Sequence, residues 1–172
     1  MWLTSILSIS FATMASSFCP LSCDCNENAL SVSCMNGQLE VLPITLDPGI
    51  QRLQLQENKI KAVDAALGFY AQLQFVDLSS NQLISLPDRG FNQQKRLIEL
   101  RLNNNKIFKL SNLTLSGLKT LNILSLRNNF LEELSSQIFS SLKSVEELDL
   151  RQNRIRVILW SRQPEDIAFR LQ

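Results

Sequence analysis

Between Ile50 and Ile155, aliphatic and polar residues alternate in five short bursts built on one plan. The aliphatic pairs are Leu53 and Leu55, Val76 and Leu78, Leu100 and Leu102, Leu124 and Leu126, and Leu148 and Leu150. Alternation with a period of two predicts, in each burst, a strand with one buried face. An asparagine follows each pair three residues later, at Asn58, Asn81, Asn105, Asn129 and Asn153, at intervals of 23, 24, 24 and 24 residues. One such strand has nothing against which to bury its aliphatic side, so a fixed period of this length predicts coils stacked around a continuous core.

Aligned on the asparagines, all five segments fit L-x-x-L-x-L-x-x-N-x-L with aliphatic exchanges, the signature of a leucine-rich repeat. The expected fold is an α/β-type solenoid: a short right-handed leucine-rich-repeat horseshoe with a concave parallel β-sheet and a mostly irregular convex side. Further anchors are expected on the return segments. Ile60, Leu83, Ile107, Leu131 and Ile155 stand at repeat position 11, and Val63, Leu86, Leu110, Leu134 and Ile158 at position 14. Near position 19 come Phe69, Phe91, Leu115 and Phe139, with Phe69 one place late. The row of asparagines invites a catalytic reading, but a structural one is favoured. Where the chain leaves a strand, backbone groups lose their sheet partners, and a buried amide supplies both donors and an acceptor. Spacing at the repeat period predicts that the five amides stack into a ladder.

The four cysteines all precede the repeats, as C-x3-C-x-C-x8-C from Cys19 to Cys34. Residues 1–17 carry no charged side chain and end in Ala15, Ser16 and Ser17, which reads as a secretory signal peptide rather than an N-terminal anchor. In that compartment Cys19, Cys23, Cys25 and Cys34 read as two disulfides, with three connectivities open. A zinc site of four thiolates is the competing reading, disfavoured by the secretory context and the absence of histidine. Ala29, Val32 and Cys34 fall at positions 1, 4 and 6 of a degenerate repeat that Leu39, Leu42 and Pro43 continue. Cys34 is therefore expected to point into the core, and the cysteine hairpin to cover the apolar end and free edge of the first coil. With this cap and in-phase repeats, the chain resembles extracellular leucine-rich-repeat proteins with a cysteine-capped N-terminus, a group that includes Slit, the Toll-like receptors and the small leucine-rich proteoglycans. The resemblance extends to about Ile158 and implies pairing of Cys19 with Cys25 and of Cys23 with Cys34. The expected organisation is a signal peptide at 1–17, a cap at 18–49, five repeats at 50–159 and an atypical tail or edge strand at 160–172.

Charge and chemistry narrow the function classes. The net charge of +1 comes from 17 basic and 16 acidic residues interspersed along the chain, so the basic stripe that nucleic acid or an anionic membrane would require is missing. Beyond residues 1–17 no stretch approaches the ~20 apolar residues of a membrane span. The usual histidine general base is lacking, and no phosphate-binding glycine loop or nucleophile elbow is present. The adjacent carboxylates Glu132-Glu133 and Glu146-Glu147 read as solvated surface. No enzyme activity, cofactor or metal is expected. One N-x-S/T sequon, Asn112-Leu113-Thr114, falls at repeat position 16, on the outer return segment, and is a candidate N-glycan site.

Binding is expected on the concave side, where the polar positions of the strands face outward. Position 3 contributes Arg52, Phe75, Glu99, Ile123 and Glu147; position 5 Gln54, Asp77, Arg101, Ser125 and Asp149; position 7 Gln56, Ser79, Asn103, Arg127 and Arg151. Phe75 and Ile123 are large apolar residues at positions that alternation should expose. With Arg101 and Arg127 they form the candidate partner-binding patch, an apolar centre beside arginines, to be set against ordinary scatter of surface hydrophobics. Members of the resembled group usually close the far end with a second cysteine cap or a membrane span, and this sequence departs from that pattern. Trp160 is expected to fold over the last coil, Gln163 and Pro164 break the repeat, and Ile167, Phe169 and Leu171 permit a sixth, edge strand. The expected function is protein recognition outside the cell, through an extracellular or cell-surface partner. A matrix component of the small proteoglycan type and a truncated ectodomain of a longer receptor are the alternatives. Self-association through the C-terminal end is a further possibility.

Overall fold

The computed structural model describes residues 19–139, 142–159 and 168–170. The expected signal peptide, Trp160, Gln163, Pro164, Ile167 and Leu171 lie outside the described residues. Eight strands of three residues make one sheet: β1 (Asp24–Asn26), β2 (Ser31–Ser33), β3 (Arg52–Gln54), β4 (Phe75–Asp77), β5 (Glu99–Arg101), β6 (Ile123–Ser125), β8 (Glu147–Asp149) and β10 (Ala168–Arg170). β7 (Glu133–Ser135) and β9 (Val157–Leu159) form a second, two-stranded parallel sheet on the return side. In the large sheet β1 pairs antiparallel with β2, and every later pairing is parallel. The register places Val32, Leu53, Val76, Leu100, Leu124, Leu148 and Phe169 opposite one another. Position 6 follows the same logic, with Cys34, Leu55, Leu78, Leu102, Leu126 and Leu150 all buried. The return side otherwise holds a 3-10 turn at Ala65–Phe69 and one helical turn, α1 (Ser136–Phe139).

Each coil turns off its strand through a residue in the left-handed region immediately before the asparagine. Glu57, Ser80, Asn104, Asn128 and Gln152 have φ between 54° and 60°. This kink sends the asparagine inward. Its side-chain nitrogen donates to the position-6 carbonyls of its own coil and of the preceding one: Asn105, for example, reaches Leu102 at 3.1 Å and Leu78 at 2.9 Å. Its oxygen accepts from the position-11 N–H of the preceding coil, from Leu39, Ile60, Leu83, Ile107 and Leu131 in turn. The ladder therefore runs amide to backbone to amide, without direct contacts between the amides.

Two expectations need correction. Phe69 is 63% exposed, not an anchor, and Leu67, fully buried, takes its place. The first repeat is one residue shorter than the others, so its return segment comes into phase when counted back from the next strand. Leu67 then aligns with Phe91 and Leu115, and Tyr70 with Gln94 and Leu118, all buried. Tyr70 donates its phenolic hydrogen to the Pro43 carbonyl at 2.5 Å, tying the cap to the first repeat. Ala29, expected at a core position, is exposed in the β1–β2 turn, where its N–H donates to Asn26 Oδ1 at 2.9 Å. Leu46 and Ile50, further along the chain, belong to the buried core. The hairpin is closed by disulfides Cys19–Cys25 and Cys23–Cys34, and Cys34 is fully buried.

Candidate recognition surface

The outward side chains of β3, β4, β5, β6 and β8 form three columns with neighbours ~4.8 Å apart. The columns divide into two locked ends and a more open middle. At the N-terminal end the guanidinium of Arg52 lies 3.6 Å from the Phe75 ring centroid, and that of Arg101 lies 5.3 Å from it on the other side. Phe75 is therefore only 6% exposed, contrary to its expected place on an open patch. Alternation correctly aims its side chain away from the aliphatic core. The two arginines cover it because their long stems pack over apolar surface while their heads meet the ring. Arg101 is further held by Glu99 at 2.6 Å and approaches Asp77 at 4.0 Å, with its own side chain 47% exposed.

At the other end Arg151 grips Asp149 with two side-chain bonds, Nε to Oδ1 at 2.9 Å and an NH2 nitrogen to Oδ2 at 2.6 Å. That hydrogen bonding holds the Asp149 carboxyl below its ordinary value, against the opposing effect of burial. Stability from the pair is thus present above the unfolded carboxylate value and lost as pH falls through the depressed one. Asp149 also accepts from the Arg151 N–H at 3.1 Å, and Asp77 accepts from the Ser79 N–H at 2.9 Å. Both aspartates are 7% exposed and cap the ends of their strands. Their repeated place, two residues before the outward position-7 side chain, is the signal that could have assigned them this role.

In the middle, Ile123 is half-buried and stands in register between Glu99 and Glu147. Arg127 is exposed, with Nε donating to Gln152 Oε1 at 2.9 Å. Asn103 braces this region: its Oδ1 accepts from the Ser125 hydroxyl at 2.5 Å and from the Arg127 N–H at 3.0 Å. Of the four residues expected to form a patch, Arg101, Ile123 and Arg127 reach the concave surface, and Phe75 lies beneath Arg101 as its platform. Among the described residues no group of three or more histidine, cysteine, aspartate or glutamate side chains is arranged to hold a metal ion. No helix among them is long and apolar enough to cross a membrane.

A capped solenoid of short parallel strands, held by a periodic amide ladder and presenting a largely polar concave sheet, is the architecture of a leucine-rich-repeat horseshoe. The chain carries leucine-rich repeats: the leucine rich repeat family model matches residues 119–161, and the repeats before that segment share its register. Residues over 40% of the chain are 38% identical to 16% of the oligodendrocyte-myelin glycoprotein of Homo sapiens. Another alignment, over 52% of the chain, is 33% identical to 21% of the Homo sapiens reticulon-4 receptor-like 2. The chain thus spans about a fifth or less of these curated relatives. In shape it is similar to the protein in the crystal structure of the TLR13–ssRNA13 complex, with a TM-score of 0.71 at 23% identity, over 77% of this chain and 19% of that one.

Proposed function

We propose that this chain is an extracellular recognition module that binds a cell-surface or secreted protein through the middle of its concave sheet. The observation that carries the reading is the contrast along that sheet. Arg101 and Arg151 towards the two ends are held by carboxylates, while half-buried Ile123 and exposed Arg127, which donates to Gln152, lie on a braced, in-register support. A rigid support with an apolar anchor beside a cation has the composition of an interface centre and leaves little ordering to be done on binding. Secretion is supported by the character of residues 1–17 and by the two disulfides. The two curated relatives are named a glycoprotein and a receptor-like protein, which fits the same reading.

The test is saturable binding of the labelled, secreted protein to cells that display its partner. Ile123→Ala should weaken binding about 30-fold, the effect of losing an anchor of about 2 kcal/mol, with thermal stability unchanged. Phe75→Ala should act indirectly, by releasing Arg101, and weaken it only a few-fold, as expected of an exposed cation–π contact of about 0.5–1 kcal/mol. Lys119→Ala and Lys143→Ala on the outer side are the controls. Loss of binding in the controls with retention in Ile123→Ala would move recognition off the concave face.

Glycosylation at Asn112 belongs to the same proposal. Asn112 is exposed on the return segment, its Oδ1 accepts from the Ser135 hydroxyl at 2.9 Å, and its amide nitrogen donates to Gln137. A glycan replaces one of the two amide hydrogens and leaves the other for Gln137. Enzymatic removal of N-glycans should increase the gel mobility of the secreted protein, and Asn112→Gln should already migrate at that faster position. An unchanged mobility after treatment would show the site to be unused.

A further inference from the structure

The flank beyond the C-terminal ends of the strands carries a second surface, built from repeat positions 10 and 12. Positions 9 and 11 point into the core, as the buried Asn105 and Ile107 show, so 10 and 12 project outward. Ile84 and Phe108 at position 12 are each 51% exposed, and Phe130 at position 10 of the next coil is 38% exposed. They are neighbours: the Phe108 N–H donates to the Ile84 carbonyl at 3.4 Å, and the Phe130 N–H to the Ile107 carbonyl at 2.8 Å. The position-10 column reads Lys59, Gln82, Lys106, Phe130, Arg154, three cations and no carboxylate. Arg154 lies 4.4 Å from the Phe130 ring centroid. Lys59, Lys106 and Lys109 have no ion-pair partner among the described residues. On the concave side, by contrast, Arg101 and Arg151 are paired with neighbouring carboxylates. Glu132, beside Phe108 in the position-12 column, is the one acid among positions 10 and 12 of the five repeats.

We propose that this flank is a docking surface, separate from the concave sheet, for a protein segment that presents carboxylates next to large apolar side chains. Three exposed apolar residues on adjacent, hydrogen-bonded coils supply the area to be covered, and the cation column supplies the complementary charge. Hydrogen bonds from coil to coil, Lys106 N–H to Leu83 carbonyl at 2.8 Å and Arg154 N–H to Leu131 carbonyl at 3.0 Å, hold the platform rigid. Docking therefore orders little beyond the side chains themselves.

The probes are short synthetic peptides that alternate Leu with Glu, Leu with Lys, or Ser with Glu, together with a heparin oligosaccharide. Each is titrated into the secreted protein with amide NMR shifts as the readout. The Leu-Glu peptide should bind most tightly and shift the amides of 82–84, 106–109 and 130–132. Phe108→Ser combined with Phe130→Ser should weaken it at least about tenfold, as should Lys106→Glu alone, while Arg127→Ala should leave it unchanged. All these side chains are exposed, and circular dichroism melting checks that the variants stay folded. Binding of the Ser-Glu peptide or heparin as tight as that of Leu-Glu would reduce the flank to simple polyanion attraction and overturn the proposal. So would shifts confined to the concave face, absence of binding by every peptide, or a wild-type dimer in sedimentation that Phe108→Ser dissociates.

Discussion

Asn105→Ala should lower the free energy of unfolding by roughly 2–4 kcal/mol, while Asn104→Ala, one residue away, should cost about 1 kcal/mol, the strain of alanine in the left-handed region. Asn105 is 5% exposed and makes four hydrogen bonds: its nitrogen donates to the carbonyls of Leu78, Leu102 and Asn103, and its oxygen accepts from the Leu83 N–H. Alanine leaves the Leu83 N–H without its partner and removes one of two donors from each carbonyl, since Leu78, Leu102 and Asn103 keep those from Asn81, Asn129 and the Ser80 N–H. An unsatisfied buried group costs about 1–3 kcal/mol, and the weakened rung adds to it. Asp at the same position should rescue little, since a carboxylate keeps the bond from Leu83 but turns an acceptor toward the three carbonyls. Because a solenoid is stabilised chiefly by contacts between neighbouring repeats, the loss falls on the joint between the second and third coils. Asn153, only part-buried at the end of the series, should be the less costly site. Chemical denaturation of the purified variants checks this order. An Asn105→Ala loss within about 1 kcal/mol of that of Asn104→Ala would mean that relaxed backbone or water replaces the ladder.

The repeat was legible because its period forces the same inside–outside choice at every coil. Positions 4, 6, 9 and 11 are buried throughout the repeats wherever side chains are described, except that Asn153 and Ile155 are only partly covered. Legibility failed where burial depends on something other than period. Phe69 falls near the anchor position only in a forward count from Ile50, because this repeat is one residue short and the convex turn absorbs that deletion before Leu67. Counting backward from Leu73 recovers both Leu67 and Tyr70. Ala29 departs from the repeat spacing because the hairpin that closes the first coil obeys turn chemistry, with Asn26 capping the Ala29 N–H.

The concave face was legible in direction but not in cover. Alternation tells which side of the sheet Phe75 occupies, and it does occupy that side. It does not tell that arginines on the two adjacent strands are long enough to close over the ring. The roles of Asp77 and Asp149 as strand-end caps were likewise invisible to a reading that counted them only as charges. Ile123 is half-buried between its register neighbours Glu99 and Glu147, of which Glu99 is held by Arg101 on its own strand.

Replacing both Cys23 and Cys34 with alanine should destabilise the protein by about 3 kcal/mol or more and prevent its accumulation in the medium at body temperature. The bond between them closes a loop with a sequence separation of 11, against 6 for Cys19–Cys25. On loop-closure entropy alone the longer loop contributes about 3 kcal/mol and the shorter about 2 kcal/mol. Burial widens the gap. Cys34 is fully buried at a position-6 site, and its carbonyl receives the first rung of the asparagine ladder from Asn58 at 2.8 Å. Its N–H is also bonded to the Gln54 carbonyl at 2.8 Å. Losing this bond therefore releases β1 from the open edge of β2 and loosens the anchor of the first rung at once. An edge so uncovered is a site for pairing with other chains, so aggregation should accompany the loss. Replacing Cys19 and Cys25 should have the smaller effect, since Cys19 is exposed and Cys25 only partly buried. Thermal melting and secretion yield of the two double variants decide the matter. Equal losses would assign the cap's stability to its overall cross-linking, and a greater loss from the Cys19–Cys25 pair would show that the hairpin, not its tether to the core, closes the solenoid.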